Sequence, residues 1–219
     1  DIDIDGTTNL DVLDVDGAAN FAADVTFADG ADIITASAGT SNFRAGVNAG
    51  NSIVSGANYN TVVGDEAGTA ISGGSGYTTA IGYAAGAAIT TGGKNTLIGG
   101  QSGDALTTGN SNVAVGYNTL TADTLGDRNV AIGNQALEAQ NFTTSTDSYN
   151  TAVGFQAGQN ITTGTNNTFM GGSAGVANTT GGSNASVGKN SLTANTTGSA
   201  NAALGADALA SNTTASNNT

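Results

Sequence analysis

The 219-residue chain has no Cys, Pro, His or Trp, and its 17 acidic and 4 basic residues give a net charge of −13. Without Cys it can form no disulfide, and without His it lacks the commonest general base and metal ligand. The acidic balance argues against nucleic-acid binding, which needs clustered Lys and Arg. No apolar run approaches the roughly 20 residues of a membrane-spanning helix, so we expect no membrane insertion.

Residues 1–41 carry nine of the 17 acidic residues, and these alternate with apolar ones. Strict alternation predicts β-strands with one buried and one solvent-exposed face, and Asp-Gly is a strong turn signal. Such pairs occur at Asp5-Gly6, Asp16-Gly17 and Asp29-Gly30. We therefore predict a short, acidic, β-rich stem over residues 1–41. The chain also begins without a basic and apolar leader and ends inside a repeat, which we interpret as a fragment of a longer protein.

The opening DIDIDG matches the start of a calcium-binding loop, D-x-D-x-D-G. The twelfth position of that loop should be Glu, but this chain has Val12. Strand alternation accounts for the aspartates without a metal. We therefore expect neither a metal nor a cofactor, and a calcium titration should leave the melting temperature unchanged.

From Asn42 onwards the chain repeats with a period near 17 residues, and a fixed period of this length is typical of solenoid proteins. Ten units run to Asn217, and an eleventh opens at Asn218. The unit from Asn129 is four residues longer, and its extra polar stretch, NFTTSTDSY, predicts a loop insertion. Every unit has Gly at its fifth position: Gly46, Gly64, Gly82, Gly99, Gly116, Gly133, Gly154, Gly171, Gly188 and Gly205.

Other positions of the unit also have distinct residue types. Position 1 is Asn in every unit but the one that begins at Thr78, and position 8 is always small. Stacked units would align the Asn side chains in a ladder whose amides bond from one unit to the next. Position 4 is aliphatic or Met in nine units, as in Val153, and we interpret it as a core position.

Positions 9 and 12 vary together. Where position 9 is Gly, as in Gly68, position 12 is Ile or Leu, as in Ile71; where position 9 is Leu, as in Leu120, position 12 is polar. The unit with Gly175 and Asn178 is the exception. We interpret the pattern as one core space per unit that holds a single large side chain, since filling both positions would overpack it and filling neither would leave a cavity.

Each unit offers two short β-compatible runs, at positions 1–4 and 10–14, separated by Gly-rich segments. Recurring Gly, Thr and Asn argue against helices and favour strands and turns. We therefore predict an all-β chain in which residues 42–219 form a parallel β-solenoid or β-roll, one unit per turn. Ten turns would span ~48 Å, and the thin, alanine-rich core leads us to expect several chains packed side by side.

The phrase N-x-A-[VI]-G, small residues and a Gly-Thr-Asn turn resemble the head repeats of trimeric autotransporter adhesins, whose units are somewhat shorter. Phrases such as SNFRAGVNAGNSIVSG and NTAVGFQAGQNITTGTNN resemble more closely the repeat regions of bacteriophage tail-fibre proteins, especially those of marine phages. The resemblance covers nearly the whole chain. It implies a homotrimeric, non-enzymatic fibre in the virion tail, which contacts other tail proteins and projects an attachment tip towards the host cell surface.

Two alternatives remain open. A bacterial cell-surface adhesin or extracellular filament would carry a signal peptide and a membrane anchor in flanking sequence. An ice-binding solenoid would explain the repeated Thr at positions 13 and 14, although the uneven unit lengths argue against a flat Thr face. Aromatic residues at the variable position 6, Tyr83, Tyr117 and Phe155, are predicted to contact a receptor or, as we favour, an interchain seam. The four basic residues look scattered along the chain.

Overall fold

The computed structural model describes residues 37–74 and 76–219, and this part of the chain contains short β-strands and no helix. The strands are β1 (Phe43–Ala45), β2 (Thr61–Val63), β3 (Thr79–Ile81), β4 (Thr96–Ile98), β5 (Val113–Val115), β6 (Gly126–Asp127), β7 (Val130–Ile132), β8 (Thr146–Asp147), β9 (Thr151–Val153), β10 (Thr168–Met170), β11 (Ala185–Val187) and β12 (Ala202–Leu204). The predicted stem over residues 1–41 and its calcium-like loop lie almost entirely outside the described residues.

Ten of these strands form one parallel sheet in the order β1-β2-β3-β4-β5-β7-β9-β10-β11-β12, with β6 and β8 paired separately. Equivalent residues of successive units pair directly, so that Thr151 lies between Val130 and Thr168. The predicted all-β parallel β-solenoid is therefore confirmed. It has about nine turns, and we call each turn a rung.

The predicted second strand of each unit is wrong, because each repeat unit places a single three-residue strand, at positions 2–4, in the ten-stranded sheet. The rest of the rung is turn and bend, with left-handed backbone at positions 7 and 9, such as Gln156 with φ of 55°. Turn and bend continue through positions 10–14, so this run is not an extended strand. Rung-to-rung hydrogen bonds nevertheless continue there, as from Thr162 N–H to Thr179 O at 2.9 Å.

The interior of the solenoid is lined by position 3, and the prediction that position 4 fills the core is also wrong. Neighbouring side chains of a strand point to opposite faces of the sheet. Val62 and Leu97, at position 3, are fully buried, whereas Ile98 and Ile132, at position 4, are 37% and 39% exposed. The buried Asn at position 1 determines which side chains of the strand face the interior. Because position 1 points inwards, position 3 also points inwards and positions 2 and 4 point outwards.

The asparagine ladder at position 1 is present as predicted. Asn167 donates from Nδ2 to Asn150 Oδ1 at 3.2 Å and to Gly181 O at 3.0 Å, and its own Oδ1 accepts the Asn184 N–H at 3.0 Å. Asn167 thus ties its rung to both neighbouring rungs, and Asn184 does the same. The ladder is interrupted at Thr78, whose buried hydroxyl has no hydrogen-bond partner in the described part of the chain.

The core space predicted for positions 9 and 12 is confirmed, and the structure adds position 3 to it. A Cβ at Gly68 would lie 2.7 Å from Ile71 Cδ1, so the two positions compete for one volume. The exceptional unit follows the same logic, because Phe169 at position 3 fills its space. A Cβ at Gly175 would lie 2.5 Å from the Phe169 ring. Because Phe169 already fills the space, position 12 does not have to supply a large apolar side chain and is the polar Asn178.

Polar residues at position 12 form a second buried ladder. Asn195 Nδ2 donates to Asn178 Oδ1 at 2.7 Å, and Asn178 Nδ2 donates to Gly181 O at 2.8 Å. The unit from Asn112 has Asp123 at this position instead. Its carboxylate accepts hydrogen bonds from Gln140 Nε2 at 2.7 Å and from the Gly126 N–H at 3.0 Å, and burial raises the pKa of the carboxyl.

Replacing Asp123 with Asn is expected to favour the folded state more at pH 7 than at acidic pH, because burial disfavours the ionised carboxylate. Because the folded state raises the Asp123 pKa, its stabilising contribution is fully present below the unfolded pKa and is lost as pH rises through the folded pKa. Asn is uncharged at every pH, so the difference in stability between the two proteins reports the buried charge of Asp123. Thermal melts from acidic to neutral pH test this, with the exposed Asp65→Asn as control; a gain that does not grow with pH would contradict it.

The insertion in the unit from Asn129 begins as the predicted loop but is partly built into the fold. Phe142 is buried, and strand β8 pairs with β6 of the preceding unit, so that the extra residues return to register before Asn150. Ser145 Oγ also donates to Asp127 Oδ2 at 2.9 Å. The four additional residues are therefore absorbed at one corner of one rung.

Candidate functional site

The ten central glycines form a column along the rod whose backbone conformation excludes other residues. Their φ values lie between 122° and 140°, a region essentially restricted to glycine. A Cβ at Gly154 would also lie 2.6 Å from the carbonyl carbon and oxygen of Gly171 on the next rung. The arrangement permits close stacking of turns and leaves no space for a ligand at this column.

The aromatic residues predicted at position 6 lie on alternate rungs of a single exposed column. Tyr83, Tyr117 and Phe155 are each more than half exposed, and the intervening rungs carry small or polar residues. The Tyr117 ring covers Gly100, where a Cβ would lie 3.4 Å from its Cδ2 atom. The structure therefore places these side chains on the surface, and their role at a receptor or an interchain seam stays a prediction.

A second aromatic column precedes the asparagine ladder and was missed by the sequence analysis. It is formed by the residue immediately before position 1: Tyr59, Tyr77, Lys94, Ser111, Arg128 and Tyr149 on six consecutive rungs. All six have left-handed backbone, with φ between 49° and 61°. The phrases NYN, GKN, DRN and SYN, each ending in the ladder Asn, were the signal that could have revealed this column.

Side chains of the second column contact one another along the rod. The rings of Tyr59 and Tyr77 stack with centroids 5.1 Å apart and planes 19° from parallel. The Arg128 guanidinium lies 5.7 Å from the centre of the Tyr149 ring and forms an ion pair with Asp147. Such stacked and cation–π contacts hold large side chains in fixed orientations on the surface.

An open groove of about 540 Å³ runs along this column, and we call it the corner groove. Its lining includes Tyr59, Tyr77, Lys94, Ser111, Asp127 and Arg128. The basic residues look scattered along the sequence, but the structure brings Lys94 and Arg128 to one groove, two rungs apart. Arg44 lies elsewhere, with Nε donating to Ala49 O at 2.7 Å.

Comparisons with known proteins give the chain no relatives to argue from. It matches no family model, no curated protein and no solved structure. Within residues 37–74 and 76–219, no three His, Cys, Asp or Glu residues are grouped to hold a metal ion, and no helix is long and apolar enough to cross a membrane.

The threonines at position 13, which raised the ice-binding alternative, are engaged in holding rungs together. Thr90 Oγ1 donates to Thr107 O at 3.2 Å, and Thr179 Oγ1 donates to Thr196 O at 3.0 Å. Position 13 is Asn141 in the long unit, which interrupts the row. These hydroxyls thus have a structural explanation that needs no ice surface.

Proposed function

We propose that this chain is a non-enzymatic structural fibre protein of a virion appendage, a phage tail fibre that projects a host-attachment tip. The observation that carries the proposal is the uninterrupted stacking of near-identical rungs, tied by buried asparagines at nearly every step. Each added unit lengthens such a rod without changing its cross-section. The resemblance of the repeats to phage tail-fibre sequences supplies the location.

The fibre assignment is tested by locating the repeat in situ. Antibodies raised against residues 42–219 should label rod-shaped appendages of virions in electron micrographs and should not label uninfected cells. Labelling of filaments on the surface of bacteria that carry the gene, with bare virions, would instead favour the adhesin or extracellular-filament alternative.

We further propose that the fibre is a homotrimer whose chains meet at the outer face of the ten-stranded sheet. Aliphatic side chains at position 4 form a continuous, partly exposed row on this face: Ile81, Ile98, Ile132, Met170 and Val187. Exposed apolar strips of this length mark protein–protein contacts, since single soluble chains rarely leave them open. The buried core is correspondingly thin and rich in Ala.

The double substitution Ile98→Lys and Ile132→Lys is expected to convert the trimer to monomers, because two cations per chain would face each other in an apolar contact. A matched control, Thr163→Lys with Thr180→Lys, adds the same charge at exposed positions outside the sheet and should leave the trimer intact. Sedimentation at micromolar concentration measures the mass of each variant. A monomeric parent fragment would contradict the trimer proposal.

A further inference from the structure

The corner groove contains large side chains at backbone positions that normally exclude them. Left-handed φ is costly for a bulky residue and readily adopted by Asn or Gly. Tyr59, Tyr77 and Lys94 all have φ of 59°, whereas equivalent rungs have Ser183, with φ of 57°, or Asn166, with φ of 60°. The fold thus accepts small residues at this position. The fold therefore does not require three consecutive large side chains at this position, and their presence is open to a functional explanation.

The chemistry of the groove matches an uncharged, hydroxyl-rich ligand. The stacked Tyr59 and Tyr77 provide aromatic surface with phenolic hydroxyls, and both rings are at least half exposed. The cations Lys94 and Arg128 are balanced by Asp127, which lines the groove, and by Asp147, which pairs with Arg128. The local charge is therefore near zero on a strongly acidic chain, which disfavours nucleic acid and other polyanions.

The shape of the groove fits a chain better than a compact small molecule. It is open, and it crosses the rungs from Tyr59 to Arg128, a distance of about 19 Å at the usual strand spacing. Compact ligands usually occupy concave sites that bury most of their surface. Aromatic faces flanked by hydrogen-bonding side chains, repeated along an axis, present the same chemistry to successive units of a polymer.

We propose that the corner groove binds an extended neutral polysaccharide, whose sugar rings pack on Tyr59 and Tyr77 and whose hydroxyls bond to Lys94, Arg128 and the tyrosine hydroxyls. This site lies on the side of the rod rather than at a tip. The proposal does not depend on the phage assignment, because an adhesin or an extracellular filament would use the same groove.

The test compares a pair of tyrosine substitutions in the groove with a pair of exposed control substitutions outside it, both in the 219-residue chain. The probes are oligosaccharides of dextran, mannan and galactan, with heparin as the charged comparator, and saturation-transfer NMR together with titration measures binding. Tyr59→Ser with Tyr77→Ser should weaken binding of at least one neutral oligosaccharide by about tenfold, with unchanged melting temperature and oligomeric state. The control, Val47→Ser with Val54→Ser, removes exposed apolar surface outside the groove and should bind as the parent does.

The possible results distinguish a polysaccharide site in the groove from polyanion binding, non-specific binding and an interchain contact. Absence of binding to all three neutral probes, or stronger binding of heparin than of any of them, would overturn the proposal. Equal loss in the control pair would also overturn it, because binding would then not be specific to the groove. Dissociation of the oligomer by the Tyr59 and Tyr77 pair would show that the column is an interchain seam. Serine at this position is compatible with the fold, as Ser111 shows with φ of 59°, so misfolding does not obscure the result.

Discussion

Replacing Phe169 with Ala is expected to destabilise the protein by about 3–5 kcal/mol, and adding Gly175→Leu to that variant is expected to recover most of the loss. Phe169 is fully buried and fills the core space that its own position 12, Asn178, leaves open. Leu at position 9 fills this space in other rungs, as Leu192 does with φ of 49°, close to the 59° of Gly175. The double variant therefore reproduces a combination that the chain already uses.

The single substitution Gly175→Leu completes a double-mutant cycle with Phe169→Ala and the double variant. It should be strongly destabilising by itself, because its Cβ would lie 2.5 Å from the Phe169 ring. Thermal melts of the parent and the three variants, at one protein concentration, give the coupling between the two positions. If the two changes proved additive, positions 3 and 9 would not share a space, and our account of the core would fail.

The second large effect is expected at the glycine column, where Gly154→Ala should cost more than about 4 kcal/mol or prevent folding. Two causes act together. A φ of 140° is unfavourable for any residue with a Cβ, and that Cβ would lie 2.6 Å from backbone atoms of Gly171, which cannot rotate away. The rungs would have to separate at this step.

A neighbouring glycine provides the matched control. Gly172 has nothing within 4 Å of an added Cβ and no left-handed φ, so Gly172→Ala should change stability by no more than about 0.5 kcal/mol. Thermal unfolding followed by circular dichroism compares the two variants with the parent. Similar melting temperatures for Gly154→Ala and the parent would disprove the close stacking of the glycine column.

The repeat architecture could be predicted from sequence because its determinants recur ten times. The Asn at position 1 and the alternation between positions 9 and 12 each reflect one local packing requirement, and repetition separates that requirement from chance. The Phe169 unit was the exception because its compensating residue lies six positions before Gly175. Only the structure shows that position 3 reaches the same space.

Which strand positions face the core could not be predicted as reliably from the sequence as the repeat itself. Position 4 is the most consistently aliphatic position in the unit, and burial in the core was the simplest explanation for that. The structure shows that such a row can also lie outside, with Ile98 partly exposed and the inward-facing position 3 occupied by Ala in five of the ten units. The corner groove was missed for a related reason: its residues vary from rung to rung, and only stacking brings Tyr59, Tyr77 and Lys94 together.

The long rung beside the corner groove shows where this rod tolerates extra sequence. Four residues enter between the core position Gln140 and the ladder position Asn150, and the sheet on either side keeps its register through the pairing of Ala131 with Ala152. Foreign peptides inserted at this corner in several units would project from the side of the rod at spacings fixed by the backbone. The solenoid is in that sense a molecular ruler on which ligands or epitopes can be displayed at chosen intervals.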